Sequence, residues 1–151
     1  MKQELHIGYE IRETNNLIHR YVENERKNSY LSELSFIQGG MIHHIYKNRD
    51  RDIYQKDLEE RFEIRRSTAT GILQGLEKKG YIERVSDPDD KRMKKLVLTD
   101  KAVAMEKGFH RQIEECERVF MDGLSEEEKR ITVTALKKIR ENIRKKEEEY
   151  D

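Results

Sequence analysis

The sequence predicts a mainly α fold with one small β-hairpin (α+β), in which long amphipathic helices at either end enclose a shorter helical pair and the hairpin. Apolar residues recur at the three-and-four spacing of a helix face through most of the chain. One stretch, from Tyr81 to Leu98, instead alternates around the turn-forming run Ser86-Asp87-Pro88-Asp89-Asp90, as paired strands do. A third observation concerns assembly. The 151 residues, most simply one domain, are 34% hydrophobic and 41% charged, with no Trp and one Pro. A chain this poor in core residues either stays partly disordered or completes its core with a partner. Its orderly helical stripes favour the partner.

The first helix runs from Leu5 to about Asn24, with Ile7, Ile11, Ile18 and Val22 on its stripe. Ser29–Leu34 interrupts it, and Phe36–Tyr46 reads as the second helix. The pair Gly39-Gly40 weakens that helix by about 1 kcal/mol per glycine, which suits a point of close helix packing. Asn48–Asp52 is a polar loop. Gln55–Phe62 forms a short helix with Leu58 and Phe62 on one face. A joint, Glu63–Arg66, leads to Ser67, read as the N-cap of a helix from Ser67 to Lys79. That helix turns Ala69, Ile72, Leu73 and Leu76 inward and stops at Gly80, a C′ glycine.

Tyr81–Val85 and Lys95–Leu98 are the two strands of the hairpin. Thr99 caps a long helix striped by Met105, Phe109, Ile113, Cys116 and Phe120, and Gly123 ends it. Ser125-Glu126-Glu127-Glu128 is a capping box for the last helix, whose Ile131, Ala135, Ile139 and Ile143 are spaced by four. The tail Lys145–Asp151 is charged. A helix-turn-helix followed by a β-hairpin is a winged helix-turn-helix, here residues 47–99. Residues 1–46 and 100–148 form long N- and C-terminal dimerisation helices, too few to close a bundle alone but enough in two copies.

Net charge is zero, with 31 basic and 31 acidic residues, which argues weakly against nonspecific nucleic-acid binding. The average conceals a gradient: Arg61–Lys101 holds eleven Lys/Arg against seven Asp/Glu, leaving twenty against twenty-four elsewhere. A basic segment in an acidic frame suits a local DNA-facing surface. The single cysteine, Cys116, excludes an intrachain disulfide or a multi-Cys zinc site and fits a reducing compartment. No apolar run approaches a membrane span, and no signal-peptide core follows Met1-Lys2-Gln3-Glu4, so the expected location is cytoplasmic and no membrane partner is expected.

With its apolar residues inward, the candidate recognition helix presents Ser67, Thr68, Thr70, Gly71 and Gln74 outward. Hydroxyls near a helix N-terminus can bond phosphates, where free N–H groups and the helix dipole already favour an anion. Gln74 can read adenine through N6 and N7, and Gly71 permits close approach to the groove floor. Arg65 and Arg66 stand just ahead, where phosphates would lie. In the hairpin, Arg92 is the candidate minor-groove residue, with Asp90 placed to orient its guanidinium. Lys91, Lys94 and Lys95 add phosphate contacts that strengthen binding without selecting sequence. The plain alternative is a solvated polar face and a charged turn, which the surrounding helix-turn-helix and hairpin make less favourable.

These residues resemble the MarR family of bacterial transcription regulators. Asp90-x-Arg92 followed by Leu98-Thr99 is similar to that family's wing signature. Gln55-Lys56-Asp57-Leu58-Glu59 resembles the opening of its first DNA-domain helix. Arg66-Ser67-Thr68-Ala69-Thr70 and Leu76-Glu77-Lys78-Lys79-Gly80-Tyr81-Ile82-Glu83-Arg84 also match. The likeness is close over roughly Ile53–Ala102 and extends to the outer helices by pattern. It implies an obligate homodimer with intertwined first and last helices, two winged helices reading a pseudo-palindromic operator in double-stranded DNA, most often a repressor. It also implies release from DNA by a small-molecule effector, for which phenolics are one class. Gly71 and Gly75 depart from the family, standing where many members carry larger, often basic residues, and Ala102 stands where glycine is common.

Other residues give weaker signals. His43-His44, His19 and His110 can be imagined converging on zinc, but adjacent helical side chains point roughly 100° apart, so at most one of the pair serves a given site. Surface or interface histidines are the preferred reading, with no metal and no cofactor expected. Cys116 lies on an apolar stripe, where cysteine is usually a small hydrophobe. Tyr9, Tyr21, Tyr30, Tyr46 and Tyr54 are candidates for lining an effector pocket. The sequence has no Gly-rich phosphate loop, no Ser/His/Asp spacing and no His-Glu-x-x-His, so no enzyme is expected. The alternative to an operator-binding regulator is a winged-helix protein-interaction module without operator-specific DNA binding.

Overall fold

The computed structural model describes residues 4–29 and 31–151. Tyr30 and the N-terminal Met1-Lys2-Gln3 lie outside the described residues. The element order is α1 (Ile7–Lys27), α2 (Phe36–Lys47), α3 (Gln55–Phe62), α4 (Arg66–Lys78), β1 (Ile82–Ser86), β2 (Lys94–Leu98), α5 (Asp100–Met121) and α6 (Glu126–Glu148). The chain forms two compact units, Met1–Ile113 and Glu114–Asp151, so the boundary falls inside α5.

The first unit is organised around one apolar cluster. Leu34, Met41, Ile42 and Ile45 meet Ile53, Leu58, Leu73, Leu76, Tyr81, Ile82, Leu96 and Ala102 in it. Helix α2 therefore shares a core with α3, α4 and the hairpin. Ser35 starts α2 with a capping box: its Oγ accepts the Gln38 N–H at 3.2 Å, and Gln38 Oε1 accepts the Ser35 N–H at 3.0 Å. At Gly39, α2 lies close against α5. A Cβ there would lie 2.0 Å from Phe109 Cε2, so the ring occupies the space a side chain would need.

Two Schellman-type endings shape the helix-turn-helix. At the end of α3, Glu63 takes the left-handed conformation (φ 53°), and the Ile64 N–H bonds the Glu59 carbonyl at 3.1 Å. At the end of α4, Gly80 (φ 80°) donates to Glu77 O and Tyr81 to Leu76 O. Gly80 thus has the C′ role expected for it. The hairpin is antiparallel, from Ile82 opposite Leu98 to Ser86 opposite Lys94. Beyond β2, the Leu96 N–H donates to Ile53 O at 2.8 Å, which ties the chain before α3 to the outer edge of the hairpin. Thr99 Oγ1 donates to Gly80 O at 2.7 Å and accepts the Ala102 N–H at 3.3 Å, joining the end of α4 to the start of α5.

In the second unit, Gly123 (φ 77°) ends the turn after α5, and Ser125 opens α6 with the expected capping box. Helix α6 runs to Glu148 and buries none of its residues. Ile131, Val133 and Ile143 are each more than half exposed. Cys116 is buried, as its place on the apolar stripe anticipated.

Candidate nucleic-acid interface

Helix α4 starts one residue earlier than the sequence suggested. Arg65 takes the extended N-cap conformation (φ −74°, ψ 156°), and its carbonyl accepts the Ala69 N–H. Ser67 is accordingly inside the first turn and is not the N-cap. The reason is backbone geometry: the joint after Glu63 is already extended at Arg65, so the helical ladder begins there. Arg66, Ser67 and Thr68 supply first-turn N–H groups, which lack intrahelical acceptors. Arg65, Arg66, Ser67, Thr68, Gly71 and Gln74 are all exposed, while Ala69, Leu73 and Leu76 are buried, so α4 has the polarity its spacing predicts.

Thr70 behaves differently from the other hydroxyls. Its Oγ1 donates to Arg66 O and accepts from Gln55 Nε2, both at 2.9 Å. It is a tether between α3 and α4 more than an open phosphate donor. Gln55 Nε2 also reaches Arg66 O at 3.3 Å.

In the wing, Asp90 holds Arg92 as anticipated. Asp90 Oδ1 accepts the Arg92 backbone N–H at 3.0 Å and its Nε–H at 3.2 Å, while Nη2 lies 3.4 Å from Oδ2. The Arg92 side chain is 91% exposed, so the carboxylate directs it without covering it. Lys91 and Lys94 are exposed as well. Lys95 leaves this group: it pairs with Asp52 at 3.5 Å on the other face of the strand, because successive strand residues point to opposite sides.

The wing base is fastened to α3. Tyr54 Oη donates to Asp87 Oδ2 at 2.7 Å, and the Tyr54 N–H donates to Asp57 Oδ2 at 2.8 Å. The bond to Asp87 pushes the Tyr54 hydroxyl up to about 12, and the same bond holds the Asp87 carboxyl below its usual value.

These pieces border one open groove of about 580 Å³. Arg66 and Thr70 come from α4, Arg92 and Lys94 from the wing, and Tyr54, Gln55 and Lys56 from the start of α3. Arg84 and Met93 also line it, with Arg84 Nε held by Glu77 Oε1 at 2.9 Å. Gln55, Lys56 and Arg84 have no site role in the sequence reading, and Tyr54 has one only as a candidate for an effector pocket. Their signal was present in part, since residues at a helix N-terminus beside a recognition helix face the same side.

The comparisons with known proteins agree with this architecture. The sequence profile described as "MarR family" matches residues 32–93, which span α2 to the wing. Over those residues the chain is similar to the MarR family. It is, like that family, a DNA-binding regulator of transcription, built as a mainly α winged helix-turn-helix with a small β wing. Among MarR-family and related proteins, it is 28% identical over 116 residues to the uncharacterized HTH-type transcriptional regulator YybA of Bacillus subtilis (strain 168), covering 77% of each chain. It superposes on the transcription regulator MarR from Oenococcus oeni PSU-1 with a TM-score of 0.77 at 28% identity, covering 90% of this chain and 99% of that one. A putative MarR-family regulator from Listeria monocytogenes, solved with a 26mer DNA, gives a TM-score of 0.80 at 27% identity, covering 93% and 90%. The MarR family consists of transcription regulators, not enzymes. Among the described residues, no helix is long and apolar enough to cross a membrane.

Proposed function

We propose that this MarR-family chain acts as a cytoplasmic homodimeric repressor that binds a pseudo-palindromic operator and leaves it when a small effector binds. The observation that carries the DNA-binding geometry is the groove in which Arg66, Thr70, Arg92 and Lys94 converge from α4 and the wing. Helix α4 would lie in the major groove, with Gln74 and the first-turn N–H groups toward bases and phosphates. Arg92, aimed by Asp90, would enter the flanking minor groove. Arg65, Ser67, Thr68 and Lys91 would add backbone contacts, and Gly71 would let α4 sit deep.

The dimer is supported by what each chain leaves exposed. Ile7 and Leu17 of α1 are more than half exposed, as are Ile131, Val133 and Ile143 of α6. Amphipathic helices gain most of their stability by burying that face. In the proposed division of labour, α1 and α6 dimerise, while α3, α4 and the wing contact DNA. Two such units would address half-sites with centres roughly 34–36 Å apart. A cleft of about 470 Å³ suits the effector. It is lined by Tyr46, Ile53, Leu96 and Val103 with Arg49 and Arg51, and the Arg49 guanidinium lies 4.2 Å over the Tyr46 ring. Of the other tyrosines, Tyr54 lines the DNA groove and Tyr9 a separate surface hollow near His6.

The test is selection and sequencing of genomic fragments bound by the purified chain, followed by affinity measurements from low to moderate salt. A pseudo-palindrome whose binding falls steeply with salt is the expected result. Weak binding without sequence preference would favour the protein-docking alternative. Sedimentation equilibrium at micromolar concentration checks the dimer, which a monomer would overturn.

A further inference from the structure

We propose that His43, Glu106 and His110 form a binding site for a divalent transition-metal ion of the zinc class. The cluster lies within the first unit, where α2 meets α5. Its three ligand atoms, one per residue, all lie within 4.8 Å of one another. Glu106 and His110 are four apart on α5, so both project from one face, and His43 comes from the facing helix. The close approach at Gly39 and Phe109 brings His43, one turn further along α2, into reach of both.

Burial and chemistry favour a cation here. Glu106 is the one charged side chain in the buried set among the described residues, at 6% exposure. Burying a carboxylate is unfavourable unless charge or hydrogen bonds compensate it. Here the His43 Nδ1–H donates to Glu106 Oε1 at 2.6 Å, and the two imidazole rings stack, 4.9 Å between centroids and 12° between planes. In a tetrahedral zinc site the donor atoms stand about 3.4 Å apart, given metal–ligand distances of roughly 2.0–2.2 Å. Small side-chain rotations would draw the outermost pair inward, and the ion would take the place of the proton between His43 and Glu106. Two imidazoles and a carboxylate suit zinc and its neighbours, with a fourth position for water. Glu106 carries no histidine or cysteine signal, so a search among histidines alone passes over it. His44 takes no part. It points away, edge-on to the Phe62 ring, as the 100° turn between neighbours requires.

The experiment uses the full, untagged chain and metal ions alone. Zinc is titrated in competition with a chromophoric chelator, and cobalt(II) is added separately to read the visible ligand-field spectrum. The expected result is one ion per chain, with a cobalt spectrum of four-coordinate intensity. Glu106→Gln, which keeps an acceptor for His43, and His110→Ala should each weaken binding by more than the roughly 10–100-fold that loss of an outer-shell partner costs. His44→Ala and His19→Ala should bind as the wild type does. Absence of both zinc uptake at micromolar concentration and a cobalt spectrum in the wild-type chain would overturn the site. Undiminished binding by folded Glu106→Gln and His110→Ala would overturn it equally. The wild-type measurement decides the matter even if a variant fails to fold, and neither readout depends on DNA.

Discussion

Gly71 lies inside α4, and a Cβ built on it meets nothing within 4 Å. Gly71→Ala should therefore stabilise the free chain. The gain is the helix-propensity difference, about 0.8–1.0 kcal/mol per chain, with no packing penalty to set against it. For a chain of this size, that raises the melting temperature by roughly 2–4 °C. The open space is also where α4 would approach the groove floor. There the added methyl should act as an overpacking clash of about 1–3 kcal/mol, and so weaken operator binding by about tenfold. Thermal unfolding followed by circular dichroism measures the first effect, and fluorescence anisotropy with labelled operator measures the second. A variant that melts higher and binds less tightly supports both steps. If it melts higher but binds operator with unchanged affinity, Gly71 does not face the groove floor. A lower melting temperature would refute the stability reasoning itself.

Gly39→Ala should behave oppositely. The new methyl meets the buried Phe109 ring, so overpacking of about 1–3 kcal/mol outweighs the propensity gain of about 1 kcal/mol, and chemical denaturation should show a net loss. Unchanged stability would mean that α2 and α5 separate easily. Arg92→Ala should weaken operator binding at least about tenfold and leave sedimentation unchanged, since the exposed guanidinium is held by Asp90 of its own turn and by no other ion pair among the described residues. In contrast, Lys94→Ala should lower the salt slope of binding by about 0.9 without altering sequence preference. The Tyr54–Asp87 bond sets a pH window for the wing anchor. Asp87, depressed in the fold, stabilises it above the usual carboxyl value near 4, and this is lost as pH falls through the lowered value. Tyr54, raised to about 12, contributes fully below its usual value near 10, and this is lost as pH rises through about 12. Carbon-13 NMR titration should show the Asp87 carboxyl moving upward in Tyr54→Phe; an unchanged titration would refute the coupling.

Much of the proposed DNA-facing side is readable from sequence because its parts are local. The amphipathic face of α4 follows from 3.6-residue periodicity, and the stop at Gly80 from the glycine's tolerance of positive φ. Asp90 and Arg92 are two residues apart, so the turn alone brings them together. The N-cap of α4 lies two residues before Ser67, which has a cap's chemistry, because the extended backbone at Arg65 decides where the ladder begins. Thr70 has the chemistry of a free hydroxyl, but Gln55, fifteen residues away, holds it.

By itself, then, the sequence determined the helices and their stripes, the endings at Gly80 and Ser125, the hairpin and the polarity of α4, since dihedral preferences and hydrophobic period act over a few residues. Only the tertiary structure decided which distant side chains meet. Tyr54 finds Asp87 across 33 positions, and His43 finds Glu106 across 63. The Phe109 ring fills the space beside Gly39. Such meetings depend on how closely whole helices approach, and that distance is set by packing at points like Gly39, not by any spacing along the chain.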